Sequence, residues 1–149
     1  MILKNIAASL IFLCATCCPE DDCAAVLCEG PPSLAFNIEL ENTNVFLSET
    51  YTLQDFTITG ENADDFTLTL ETFNTEEPQS VLVLQNFNWT IGTSENSLVL
   101  EENIIIPLDI QISISESDGC CGGIPRLESL LINGITQEGN TGIYTISLD

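Results

Sequence analysis

The sequence predicts an all-β protein: a single β-sandwich, immunoglobulin-like or transthyretin-like, of about 7–9 short strands and disulfide-stapled. Three observations carry this. Apolar residues recur at every second position in several runs, so each run has one face for a core and one for water. Turn residues separate the runs at the spacing of short strands. The chain is 149 residues long and 44% hydrophobic, one domain's length with enough apolar material to fill it.

Taken in order, Glu29-Gly30-Pro31-Pro32 stops any helix and closes the N-terminal region. Leu34, Phe36, Ile38 and Leu40 alternate with Ala35, Asn37, Glu39 and Glu41. Val45 to Leu47 and Tyr51 to Ile58 read as strand material, with a bulge or short break where the apolar register shifts between Leu53 and Phe56. Gly60 to Asp65 is a turn, and Phe66, Leu68 and Leu70 resume the alternation. After a polar loop from Asn74 to Ser80, Ser80–Leu84 and Phe87–Ile91 form one long strand or two, bounded by Gly92-Thr93-Ser94-Glu95-Asn96. Leu98 and Leu100 make a short strand. Ile104, Ile106, Leu108, Ile110, Ile112 and Ile114 are the longest alternation, and Pro107 argues that this strand is an edge or bent. Leu127–Ile132 is a strand or a short helical turn, Asn133-Gly134 is a turn pair, and Tyr144, Ile146 and Leu148 close the series.

Charge excludes several functions. There are 23 acidic side chains, two basic ones (Lys4 and Arg126) and no histidine. Nucleic acid is not a partner, because phosphate binding needs clustered Lys and Arg. Without imidazole there is no Ser-His-Asp triad, Cys-His pair or His metal site.

The N-terminus reads as a processing signal. Met1 to Asn5 carries one positive charge, and Ile6 to Leu13 is an apolar stretch too short to span a bilayer. Cys14-Ala15-Thr16-Cys17-Cys18 follows, then Pro19-Glu20-Asp21-Asp22. A cysteine at the cleavage boundary resembles the lipobox of a bacterial lipoprotein. The acidic run behind it resembles the export tag of Bacteroidetes-type (flavobacterial) surface lipoproteins. The resemblance implies acylation of Cys17 or Cys18 and export by Glu20, Asp21 and Asp22. It further implies attachment to outer-membrane lipid, with the domain facing the cell exterior; a periplasm-facing or secreted protein is the alternative. The resulting layout is a signal peptide over 1–17, an acidic tether over 18–32 and the domain over 33–149.

Seven cysteines fit an oxidising compartment. Acylating Cys18 leaves an even four, whereas the small polar Thr16 favours cleavage before Cys17. Adjacent cysteines seldom bridge each other, so Cys23 and Cys28 are expected to pair with Cys120 and Cys121, in either order. The first bridge would stabilise by about 4–5 kcal/mol. A four-thiolate zinc site fits less well, because Cys120 and Cys121 have no residue between them.

Three further groups are candidates for ligands. Trp89, between Phe87 and Ile91, reads as a core tryptophan or, if exposed, a stacking platform for sugar rings. Arg126 reads as an ion-pair partner for Glu128 or Asp118, or as an anchor for an anionic ligand. Glu61, Asp64 and Asp65 offer oxygen ligands for weakly bound calcium, without matching an EF-hand loop. No cofactor is otherwise expected. The expected function is a non-catalytic, lipid-anchored surface protein, structural or protein-interacting, with an unknown surface protein or glycan as partner. The alternatives are a carbohydrate- or calcium-binding module and, more distantly, a small glycoside hydrolase working through paired carboxylates.

Overall fold

The computed structural model describes residues 30–73, 76, 78–115, 122–138 and 142–148. They form ten β-strands in two sheets that enclose one apolar core. In chain order the strands are β1 (Ser33–Leu40), β2 (Thr43–Asn44), β3 (Phe56–Gly60), β4 (Phe66–Phe73) and β5 (Gln79–Asn86). They continue with β6 (Gly92–Leu100), β7 (Ile104–Ile114), β8 (Pro125–Ile132), β9 (Ile135–Thr136) and β10 (Ile143–Ser147). The first sheet has the order β10-β1-β5-β4, with β2 paired to the end of β1. The second has the order β3-β6-β7-β8-β9.

The alternation in the sequence becomes the inner faces. Leu34, Phe36 and Ile38 of β1 and Tyr144 and Ile146 of β10 point into the core from the first sheet. Leu98 and Leu100 of β6 meet them from the second, with Ile106, Leu108, Ile110 and Ile112 of β7 and Leu127, Leu130 and Ile132 of β8. β5 is central in its sheet, and all of Ser80 to Leu84 is buried. A period-2 strand buried on one side cannot do that, so β5 is screened on both faces.

The domain is not the sandwich expected from the sequence. The count is ten strands rather than 7–9, because β2 and β9 are two-residue additions. The last strand runs parallel to the first, with Phe36 opposite Tyr144 and Ile38 opposite Ile146. The immunoglobulin pattern pairs its strands antiparallel around a conserved inter-sheet disulfide. Periodicity tells which residues face inward, not which strands are neighbours, so neither the immunoglobulin-like nor the transthyretin-like reading stands. Nor is any disulfide staple found among the described residues. Cys23, Cys28, Cys120 and Cys121 lie outside the described residues, and no described residue is a cysteine. Among the described residues the two sheets meet through the apolar core.

Local departures have local causes. Residues 45–50 form turns rather than a strand, because the Asn44 side-chain oxygen accepts from the N–H groups of Phe46 and Leu47 at 3.1 and 3.0 Å. That Asx geometry closes the turn while Val45 and Phe46 still reach the core. The register shift before Phe56 is one 3-10 turn, Leu53–Asp55. Its capping box has the Asp55 carboxylate accepting from the Thr52 N–H at 2.7 Å. Gly92 to Asn96 belongs to β6, since its residues pair with Leu108 to Ile112. Pro107 sits in a central strand. Its carbonyl accepts from the Asn133 N–H at 3.0 Å on the β8 side, where the ladder ends at Leu108 and Ile132. The missing proline N–H faces that same side, so no bond to β6 is lost. Leu127–Ile132 is strand rather than helix, and Glu128 is the extra residue of a bulge opposite Gln111 and Ile112. Asn133 (φ 53°) and Gly134 (φ 75°) make the two-residue hairpin into β9.

Candidate functional site

Of the candidate residues, Trp89 has the most developed surroundings. It lies in the crossing from β5 to β6, which leaves the first sheet and enters the second. Such a crossing closes one end of the core, and a large ring there fills the gap between sheets. Trp89 is 8% exposed. Its Nε1–H donates to the Pro32 carbonyl at 3.0 Å, and its ring meets Phe66 edge-on with centroids 5.4 Å apart. The one polar atom of the indole is thus satisfied and both ring contacts are internal. A sugar platform needs a free ring face, which Trp89 does not present. Packing, the blander of its two sequence readings, is the one its surroundings match.

The strand-face argument behind that reading does not hold. Phe87 and Ile91 are not companions of Trp89 on a strand: residues 87–91 form no strand, and the two neighbours are 76% and 58% exposed. The chain turns the tryptophan inward and its flanks outward.

Arg126 is exposed on β8, opposite Ser113 of β7. Among the described residues it forms no ion pair; Asp118, one of its expected partners, lies outside them. Glu61, Asp64 and Asp65 are exposed in the β3–β4 turn. Asn62 (φ 54°) supplies the left-handed residue of that turn, and its amide meets the Thr90 hydroxyl at 3.4 Å. Among the described residues no group of three or more His, Cys, Asp or Glu side chains gathers closely enough to hold a metal ion. Cys17, Cys18, Glu20, Asp21 and Asp22, which carry the anchor and export readings, lie outside the described residues.

The topology does bring two carboxylates together. Glu95 of β6 and Asp109 of β7 are directly opposite in the ladder, on the outer face of the second sheet. Directly paired residues of neighbouring strands stand about 4.5–5.5 Å apart at Cβ. Their neighbours across the sheet are Leu131 and, in the next rows, Ser97, Pro107, Thr93 and Gln111. This is a pleated outer surface rather than a frame for a sugar ring. One polar atom of the interior stands apart: Asn96 Oδ1 is buried with no hydrogen-bond partner among the described residues, while its amide donates to Ser94 Oγ at 3.1 Å.

The surface features that the sequence did not single out are apolar. Phe87, Ile91, Ile105 and Ile135 are each more than half exposed. Phe87 and Ile91 share the parity of buried Trp89, so periodicity hides them, whereas Ile105 has the parity opposite to Ile106, Leu108, Ile110 and Ile112 of the β7 core. No protein-family model, curated protein or solved structure matches the chain.

Proposed function

We propose that the protein is a lipid-anchored, non-catalytic cell-surface module whose two-sheet domain serves as a structural or protein-interaction element. The observation that carries this over the carbohydrate-binding alternative is the burial of Trp89, the only tryptophan, hydrogen-bonded to Pro32 and packed on Phe66. The N-terminal resemblance supports the anchor, and a surface dominated by carboxylates suits an exterior, non-sticky domain.

The test is protease shaving of intact cells that make the protein, with mass spectrometry of the released peptides. A broad-specificity protease is required, because Arg126 is the only tryptic site after Lys4. Release of peptides from the domain without lysis is the expected result. Complete protection would place the domain on the periplasmic side and end the surface reading. Retention of a diacylated Cys17 or Cys18 on the N-terminal peptide checks the anchor separately.

A further inference from the structure

An outermost strand keeps a row of N–H and C=O groups with no ladder partner. Among the described residues the sheet paths end at β4 and β10 in the first sheet and at β3 and β9 in the second. Three of these are short: β10 and β3 have five residues each and β9 has two. Shortness is one way in which a protein blunts an edge. β4 is the exception. Its eight residues, Phe66–Phe73, pair with β5 alone, in an unbroken register from Phe66 opposite Asn86 to Phe73 opposite Gln79. The strand has no proline, no basic residue and no bulge, and its single charge, Glu71, alternates away from the core. Leu70 registers the open side. It faces inward opposite Leu82, which is 0% exposed, yet is itself 38% exposed. Leu68, opposite Leu84, packs on the core.

We infer that β4 is a self-association edge, on which a second copy of this chain pairs its own β4 antiparallel, about a two-fold axis at Thr69 normal to the sheet. Such an axis keeps the inner faces of both copies on one side, so residues of like parity meet. With Thr69 opposite itself, Leu68 meets Leu70 of the second copy, Thr67 meets Glu71 and Phe66 meets Thr72. The two leucine pairs cover the open side of Leu70 and extend the apolar row of the inner face. No carboxylate meets another, and each Glu71 meets a hydroxyl able to donate to it. This complementarity of the strand to itself selects a second copy as the occupant. Moving the axis to Leu70 would set Leu68 against Thr72 and Thr67 against Phe73, leaving one leucine pair in place of two. The inference stands independently of the acyl anchor.

The charge of the whole molecule works against the contact. Each copy carries −21, so the dimer is weak at low ionic strength and strengthens as salt screens the repulsion. The pairing itself is specific enough to be read from two substitutions of equal charge. T67K sets the new ammonium opposite Glu71 of the second copy, and the symmetry makes that pair twice. T69K sets two ammonium groups face to face across the axis.

The experiment is sedimentation of the purified full-length protein over a range of concentration and salt, with reductant present so that no cysteine links two copies. The expected result is a monomer–dimer equilibrium that shifts toward dimer as salt rises. T67K should tighten the dimer by roughly two- to thirtyfold, from two opposite-charge pairs, while T69K should weaken it by a similar factor. Melting temperatures show whether each monomer is intact, and T67K, at the more exposed position, decides alone if T69K lowers its own. A parent protein that stays monomeric at every concentration and salt would overturn the inference. So would T67K and T69K shifting association in the same direction, which would place the contact elsewhere on the molecule. Neither result touches the surface reading, which the shaving experiment decides.

Discussion

At the scale of single residues, the largest effects belong to positions where geometry leaves no slack. Trp89 fills the crossing between sheets, so W89A should cost about 3–5 kcal/mol in chemical denaturation. Emission of the parent protein should be blue-shifted and resistant to aqueous quencher; a red-shifted, quenchable emission would refute its burial. Gly60 has φ +119°, and a Cβ there would lie 2.5 Å from the Glu95 carbonyl oxygen. G60A should therefore lose roughly 1–3 kcal/mol. Gly92 has a similar φ of +108° but open space around its Cβ position, so G92A should lose less, and the difference between the two isolates the clash. Burial pushes the Tyr144 phenol above its usual 10. The folded state then holds that proton longer than the unfolded state does. The contribution is complete below about pH 10 and declines as pH rises through the interval between the two values. Ultraviolet titration should show this phenol ionising late, and Y144F should flatten the alkaline fall in stability.

At the scale of elements, β10 tests the alternation. Ile146 lies opposite Ile38 and is 3% exposed, whereas Ile143 lies opposite Ala35 and is 42% exposed. I146A should lower stability by about 2–5 kcal/mol. I143A should stay within about 0.5 kcal/mol. Urea midpoints of the two variants decide it. The like charges of Glu95 and Asp109 face each other across β6 and β7, so D109K should stabilise by roughly 0.2–1 kcal/mol. The strands legible in the sequence are those with a strict period of two and one covered face: β1, β4, β7 and β10. Residues 92–96 were not legible, because Gly, Thr, Ser and Asn read as a turn until the β7 ladder claims them. The turn at 45–50 was hidden for the converse reason: its apolar residues resemble a strand, and a single Asn44 side chain decides otherwise. The same limit applies to the site. The sequence pointed to Trp89 but could not say that Phe87 and Ile91 point the other way, since that depends on where the chain changes sheets.

At the scale of the whole molecule, the acidic excess acts as a distributed repulsion. Raising sodium chloride to about 1 M, where the screening length falls to about 3 Å, should raise the melting temperature. At matched ionic strength, calcium and magnesium should act alike, as expected of the exposed Glu61, Asp64 and Asp65. A rise specific to calcium would show instead that these residues bind it.

The parallel pairing of β1 with β10 bears on the order of events during biogenesis. Contacts between residues 35–39 and 143–147 are among the most distant in sequence that the chain could make. Loop closure on that scale is slow, and topology of this kind delays folding. A chain threaded through a membrane N-terminus first presents β1 long before its lateral neighbour. Under the proposed export, the first sheet would stay open on that side until Ser147 had emerged, so the polypeptide would remain pliable during transit and its completion would coincide with arrival.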